Sequence, residues 1–208
     1  MKRKKTVEKE FDDLWKETKS VSFLGGIIFY ISERAAMKSI GFISRKSKVV
    51  DVGCATGRTL LLFRKYGFSD SIGIDISKES LKICNSEGLE TGKDVFLMDA
   101  KRMKFKKRSF DLVFAEGLLE HFENFQPFVD EMCRISKKYV MVIQPNAFSY
   151  WHHIENFYWK FFPRDHVEQL AYSLDDFNKA FMKNNFKLKK VKNLILNSGW
   201  SILYERKK

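Results

Sequence analysis

The stretch Val49-Val50-Asp51-Val52-Gly53-Cys54-Ala55-Thr56-Gly57-Arg58-Thr59 decides the fold. Its first four residues are mostly β-branched and read as a buried strand. A glycine-rich turn follows, and an amphipathic run opens behind it at Arg58. Glycine allows positive φ and lets the backbone approach a ligand closely. The free N–H groups at the start of the helix then face an anionic or polar ligand. Two details separate this turn from the Gly-x-Gly-x-x-Gly dinucleotide fingerprint. The spacing is Gly53-x-Ala55-x-Gly57, with no third glycine in register. Asp51 also sits two residues before the first glycine, where it can accept hydrogen bonds from an ammonium group or order the N–H groups of the turn.

Working outward, short apolar runs alternate with amphipathic ones. The pattern predicts strands at Val49–Val52, Ser71–Ile74, Val95–Met98, Phe110–Ala115 and Tyr139–Gln144. It predicts helices at Arg58–Tyr66, Lys78–Glu87 and Phe125–Ser136. Strand and helix alternating at this spacing imply βαβ units, with a parallel sheet covered on both faces. After a further helix at about Leu174–Asn184, the stretches Lys187–Val191 and Ser201–Arg206 follow without an intervening helix, which predicts an antiparallel hairpin at one edge. Residues 1–40 read as an N-terminal helical cap, with Phe11, Leu14 and Trp15 at helical spacing. The expected architecture is a single domain over residues 1–208. It is a three-layer α/β sandwich with a seven-stranded, mostly parallel Rossmann-like sheet.

Composition narrows the class. The 208 residues suit one domain, and no linker or repeat divides them. Cys54, Cys84 and Cys133 are odd in number and lack CxxC spacing, so neither a disulfide framework nor a zinc site is expected. The longest apolar run near the N-terminus, Val21–Ile31, is too short to span a bilayer, and acids follow the basic start. The expectation is a cytoplasmic protein. The net charge of +12 clusters at Lys2–Lys5, Lys101–Arg108, Lys183–Lys192 and Arg206–Lys208. Such a field attracts nucleic acid, anionic lipid or an acidic small molecule, and is equally a solvated lysine-rich surface.

Further acids stand at later strand ends. Asp75 closes Ile72-Gly73-Ile74-Asp75-Ile76, eighteen residues after Gly57. Asp99-Ala100 follows Phe96-Leu97-Met98, and Glu116-Gly117 follows Phe110–Ala115. In this order the motifs resemble the class I S-adenosylmethionine-dependent methyltransferases, and in particular their small "type 11" domain. DVGCATG is similar to the family's first motif, with Ala55 where a middle glycine is commonest. The resemblance covers roughly Lys48 to Asn146 well and the C-terminal part loosely. It implies S-adenosyl-L-methionine as cofactor and S-adenosyl-L-homocysteine as product. It also implies a cofactor site made by Asp51, Gly53, Cys54, Ala55, Gly57, Asp75, Ile76, Asp99, Ala100, Glu116 and Gly117. Asp51 and the glycine turn would shape the methionine end, and Asp75 would take the ribose hydroxyls. Asp99 with Ala100 would receive the adenine, while Glu116 and Gly117 would border the sulfur.

Methyl transfer is an in-line displacement at a carbon the sulfonium already activates. The protein aligns the two reactants and excludes water. A base matters only for a poorly acidic hydroxyl or a protonated amine. His121, just after the fourth strand, is the candidate catalytic base, with packing on the next helix as the alternative. The acceptor site is expected from Gln144, Asn146, Trp151, His152, His153 and Tyr158. No metal-ligand set is expected. Residues 147–170 form an aromatic insertion with three open readings: a lid on the core, a pocket wall for an apolar or ring-bearing acceptor, or a contact with a membrane interface. The Asn/Asp-Pro-Pro-aromatic motif of nucleobase amino methyltransferases is replaced by Ala115-Glu116-Gly117-Leu118, and the Cys nucleophile of cytosine C5 enzymes is missing. The leading expectation is an enzyme acting on a small-molecule or lipid-like acceptor. An RNA methyltransferase using a continuous basic face and a non-catalytic cofactor-binding scaffold subunit are the alternatives.

Overall fold

The computed structural model describes residues 6–17, 33–146, 149, 170–194 and 197–208. Strands β1 (Val49–Val52), β2 (Ser71–Asp75), β3 (Val95–Leu97), β4 (Phe110–Glu116), β5 (Ser136–Pro145), β6 (Phe186–Asn193) and β7 (Gly199–Arg206) form one sheet in the order β3-β2-β1-β4-β5-β7-β6. The first five strands are parallel; β7 runs antiparallel to both β5 and β6. The terminal hairpin therefore folds back, so that its second strand inserts beside β5. The helices are α1 (Val7–Glu17), α2 (33–39), α3 (Arg58–Lys65), α4 (Lys78–Ser86), α5 (Gln126–Ile135) and α6 (Leu174–Met182).

Alternation along the central strands divides the core between two faces. Leu112 and Phe114 of β4 pack with Val49, Phe63 of α3 and Ala36 and Met37 of α2. Val113 and Ala115 pack the other way, with Val50, Val52, Phe128 and Met132 of α5 and Phe181 of α6. Phenylalanine supplies much of the mass: Phe63 meets the Phe114 ring edge-on at 5.2 Å, and Phe181 stacks on Tyr204 at 3.9 Å. Local chemistry sets the helix starts. Ser77 caps α4 by accepting from Ser80 N at 3.1 Å, and Ser173 with Asp176 forms a capping box on α6.

Among the described residues the strands and helices expected from Val49 onward are present, with altered ends. β5 starts at Ser136 rather than Tyr139, because Ser136 pairs with Phe110 and its hydroxyl donates to Tyr139 O at 2.9 Å. The helix before it therefore stops at Ile135. Strand order reverses about β1 and β4, so the loops after these strands diverge to opposite sides and leave a crevice at their carboxyl ends. No described helix is long and apolar enough to cross a membrane.

Candidate cofactor and acceptor cleft

That crevice is a cleft of about 800 Å³. The strand ends form its floor, and Phe11, Leu14 and Trp15 of α1 form a wall. Ten of the eleven expected cofactor residues line it: Asp51, Gly53, Cys54, Ala55, Asp75, Ile76, Asp99, Ala100, Glu116 and Gly117. Gly57 lies just behind, as the N-cap of α3 in a left-handed conformation (φ 76°). A Cβ there would come within 2.3 Å of Leu89 Cδ1, so both space and conformation require glycine.

The turn is ordered by Asp75 rather than Asp51. Asp75 Oδ2 accepts from Ala55 N at 2.8 Å and Oδ1 from Ser77 N at 2.9 Å. Ala55 O accepts from Ser80 Oγ at 2.5 Å, so the loop is bolted to the start of α4. Each Asp75 oxygen retains lone-pair capacity for further donors. Burial pushes the Asp75 carboxyl above its ordinary pKa. Asp51 is 2% exposed and receives no hydrogen bond from the described residues. Burial first, then Glu116 and Asp75, push its carboxyl well up. An uncompensated buried carboxylate calls for a cationic or donor-bearing partner.

The loop after β4 holds the next groups. Gly117 (φ 63°) turns the chain, and Leu119–His121 form a 3₁₀ turn. His121 lines the cleft, with its ring edge-on to Phe11 at 5.6 Å. Arg58 pairs with Glu33 of α2 and approaches Glu116 at 3.6 Å; Thr59 Oγ1 donates to Glu116 at 3.3 Å. Lys101 Nζ lies 5.4 and 5.2 Å from the ring centres of Phe122 and Phe128. Of the expected acceptor residues, Gln144 lines the cleft. Asn146 does not: it is buried, and its amide donates to Asn197 O at 3.1 Å. That bond pins the end of β5 to the turn before β7. Trp151, His152, His153 and Tyr158 lie outside the described residues.

Sequence reading missed Glu120. It is 3% exposed, lines the cleft, and its Oε2 has no hydrogen-bond partner among the described residues. Burial pushes its pKa up to about 8, with a contribution from Glu116. An acid in Leu118-Leu119-Glu120-His121-Phe122 reads as a solvated turn. Its only signal was the adjacency to His121. Overall the cleft presents Glu8, Asp51, Asp75, Asp99, Glu116 and Glu120 against Arg58, Lys101 and His121. On a chain of net charge +12, this is a concentrated acidic site.

Sheet order, glycine turn and acids at the strand ends define the class I methyltransferase fold. Residues 50–143 match a family model described as a methyltransferase domain. Over these residues, a little under half of its length, the chain carries a methyltransferase domain, with S-adenosylmethionine as cofactor. Its fold is similar to magnesium protoporphyrin IX methyltransferase from Synechocystis PCC 6803 with bound SAH, at a TM-score of 0.73 and 14% identity over 97% of this chain and 98% of that one. In sequence it is 32% identical over 99 residues to ajmaline N-methyltransferase of Rauvolfia serpentina, covering 46% of this chain and 34% of the relative. It is 30% identical over 125 residues to phosphatidylethanolamine N-methyltransferase of Cereibacter sphaeroides, covering 57% and 60%. The matches thus span between a third and three-fifths of these relatives' lengths.

The cleft fits the cofactor. The orphaned Asp51 suits an ammonium group, and the spare lone pairs of Asp75 suit a pair of hydroxyls. The volume lies within the range of small-ligand sites.

Proposed function

We propose that this chain is an S-adenosylmethionine-dependent methyltransferase acting on a small-molecule or lipid-like acceptor. The observation that carries this reading is the distribution of charge. The cleft is acidic and walled by Phe11, Leu14, Trp15, Phe122 and Phe128, which suits a compact, apolar or cationic acceptor and repels a polyanion. Part of the basic surface lies elsewhere. Lys107, Arg134, Asn184 and Arg206 border a small pocket where β4 and β5 begin, at the opposite end of the sheet. The seven residues of β4 separate that pocket from the cleft, about 20 Å by strand geometry. An RNA held there would not present a base or ribose to the cleft.

The cofactor supplies an activated methyl group. The protein's own residues do the rest. Asp51 binds an ammonium, Asp75 a ribose and Asp99 with Ala100 an adenine. Glu116, tethered by Arg58 and Thr59, borders the reacting centre. The α1 wall excludes water and holds the acceptor in line.

The first test is calorimetry of S-adenosylmethionine and S-adenosylhomocysteine on the wild type and Asp75→Ala. Micromolar binding is expected, weakened at least about tenfold (about 1.4 kcal/mol) by the substitution. Labelled cofactor with separated lipid, small-molecule and RNA fractions then reads the acceptor. Failure of folded protein to bind either compound would sink the proposal; label entering RNA alone would replace the acceptor class.

A further inference from the structure

We infer that the acceptor is an amine, bound as its ammonium ion, and that Glu120 takes its proton before transfer. This rests on reading the cleft as a methyl-transfer site. Three buried polar atoms in residues lining the cleft lack partners among the described residues: Glu120 Oε2, Gln144 Oε1 and Ser198 Oγ. The Gln144 amide nitrogen is already used, donating to Ile143 O at 2.8 Å, so its carbonyl oxygen can only accept. An ionised Glu120 can also only accept. Ser198 supplies a hydroxyl that accepts or donates. Such a set is completed by a ligand rich in N–H donors. An ammonium group offers up to three, a hydroxyl acceptor one.

The location fits the acceptor rather than the cofactor. Gln144 lies on β5 and Ser198 just before β7, beyond β4 from the glycine turn. Asp51 and Glu116 are the acids on the turn's own strand and its neighbour. Other ionisable groups facing the cleft are Arg58 and Asp75 beside the turn, Lys101 and Asp99 after β3, Glu8 on α1, and His121 on Glu120's own turn.

Among the described residues no cation pairs with Glu120, and a buried carboxyl oxygen left without a donor costs stability. An incoming ammonium removes that cost. With its pKa held near 8, the carboxyl is protonated in the empty site at neutral pH. The cation favours the ionised form, so one proton leaves on binding. Proton transfer within the desolvated pair is then close to balanced, which suits general base catalysis. In the step, an ammonium N–H bond breaks and its proton passes to Glu120 Oε2. The freed nitrogen lone pair attacks the methyl carbon of the cofactor. The carbon–sulfur bond breaks with its electrons remaining on sulfur, giving neutral S-adenosylhomocysteine and a methylated ammonium that carries the single positive charge.

The test compares phenethylamine with 2-phenylethanol, which differ in ammonium against hydroxyl, on protein saturated with S-adenosylhomocysteine. Calorimetry at pH 7 in two buffers of different ionisation enthalpy reads affinity and proton release together. The amine is expected to bind at least about tenfold tighter than the alcohol, with about one proton released. Glu120→Gln keeps the shape and removes the charge; it should abolish both the preference and the release while retaining S-adenosylhomocysteine binding. Equal affinity for the two probes, or no amine binding, in the wild type would overturn the inference, and that comparison needs no variant. A preference that survives Glu120→Gln would overturn it too. Loss of S-adenosylhomocysteine binding by the wild type would instead bring down the reading of the cleft.

Discussion

A buried carboxyl with one unpartnered oxygen writes its presence into the pH dependence of stability. Glu120 titrates near 4.5 when solvated and near 8 in the fold. Below pH 4.5 both states hold the proton and there is no penalty. Between the two values the folded state retains a proton that the unfolded chain has lost, so stability falls as pH rises. Above about 8 the penalty is complete. Glu120→Gln should therefore raise the melting temperature of the ligand-free protein at pH 8.5 and leave it nearly unchanged at pH 4.5; the reverse trend would show that the carboxyl is compensated. The glycine turn offers a second pair of tests. Ala55 sits at φ 49°, in left-handed space that costs an L-residue about 1–2 kcal/mol, while glycine would cost about 0.5–1 kcal/mol in chain entropy. Ala55→Gly should thus raise denaturant stability by no more than about 1.5 kcal/mol. Gly57→Ala meets both the positive φ and Leu89, and should destabilise by about 2–5 kcal/mol in the same measurement.

Among the elements, α1 walls the cleft with Phe11, Leu14 and Trp15. One of its anchors is Asp12: Oδ1 accepts from Ser77 Oγ at 2.5 Å and from Glu79 N at 3.3 Å, tying the helix to the start of α4 beside Asp75, while Phe11 meets the His121 ring. The ion pair of Glu8 with Lys78 at 3.7 Å is largely exposed and contributes little. Asp12→Ala should weaken S-adenosylhomocysteine binding about three- to tenfold, the loss of about one or two hydrogen bonds. Amide exchange in α1 should quicken while that in β1 and β4 stays slow. Unchanged affinity would exclude α1 from the cofactor wall. The elements that sequence reading found most directly were β1 to β5, because strands buried on both faces of a parallel sheet are nearly continuous apolar runs. Acids at their ends could be aligned with a cofactor by order alone. Glu120 could not, since its inward direction depends on Gly117 and the 3₁₀ turn. The bond from the Asn146 amide to the Asn197 carbonyl was not legible either, since it depends on how the end of β5 meets the turn before β7. The shared anchor of turn and ribose site at Asp75 was half legible, as an acid in the right register whose bond to Ala55 N spans twenty residues.

At the scale of the molecule, the chain separates its charges. The chain's net charge is +12, yet in the cleft carboxyls outnumber cations, while Lys107, Arg134 and Arg206 gather at the far end of the sheet. Edge strand β6 carries Lys187, Lys189, Lys190 and Lys192, a composition that discourages strand-to-strand aggregation without requiring a nucleic-acid partner. Two kinds of electrostatic binding should therefore be separable. Poly(U) should associate with the basic exterior at low salt. If it neutralises about four charges, its affinity should fall about fiftyfold between 50 and 200 mM salt. Because this surface lies away from the cleft, saturating poly(U) should leave S-adenosylhomocysteine affinity within about twofold, as steering fields are screened within about 10 Å at 0.1 M salt. S-adenosylmethionine differs from its product by a sulfonium charge, so an acidic cleft should bind the substrate form more tightly at low salt and lose that advantage as salt rises. Titrating both ligands at 20 and 500 mM salt, with and without poly(U), measures the two effects in one experiment. Competition between poly(U) and S-adenosylhomocysteine would place the polyanion in the cleft and reverse the assignment of the acceptor as small and cationic; independent binding, with a salt-sensitive preference for the sulfonium, is what this distribution of charge requires.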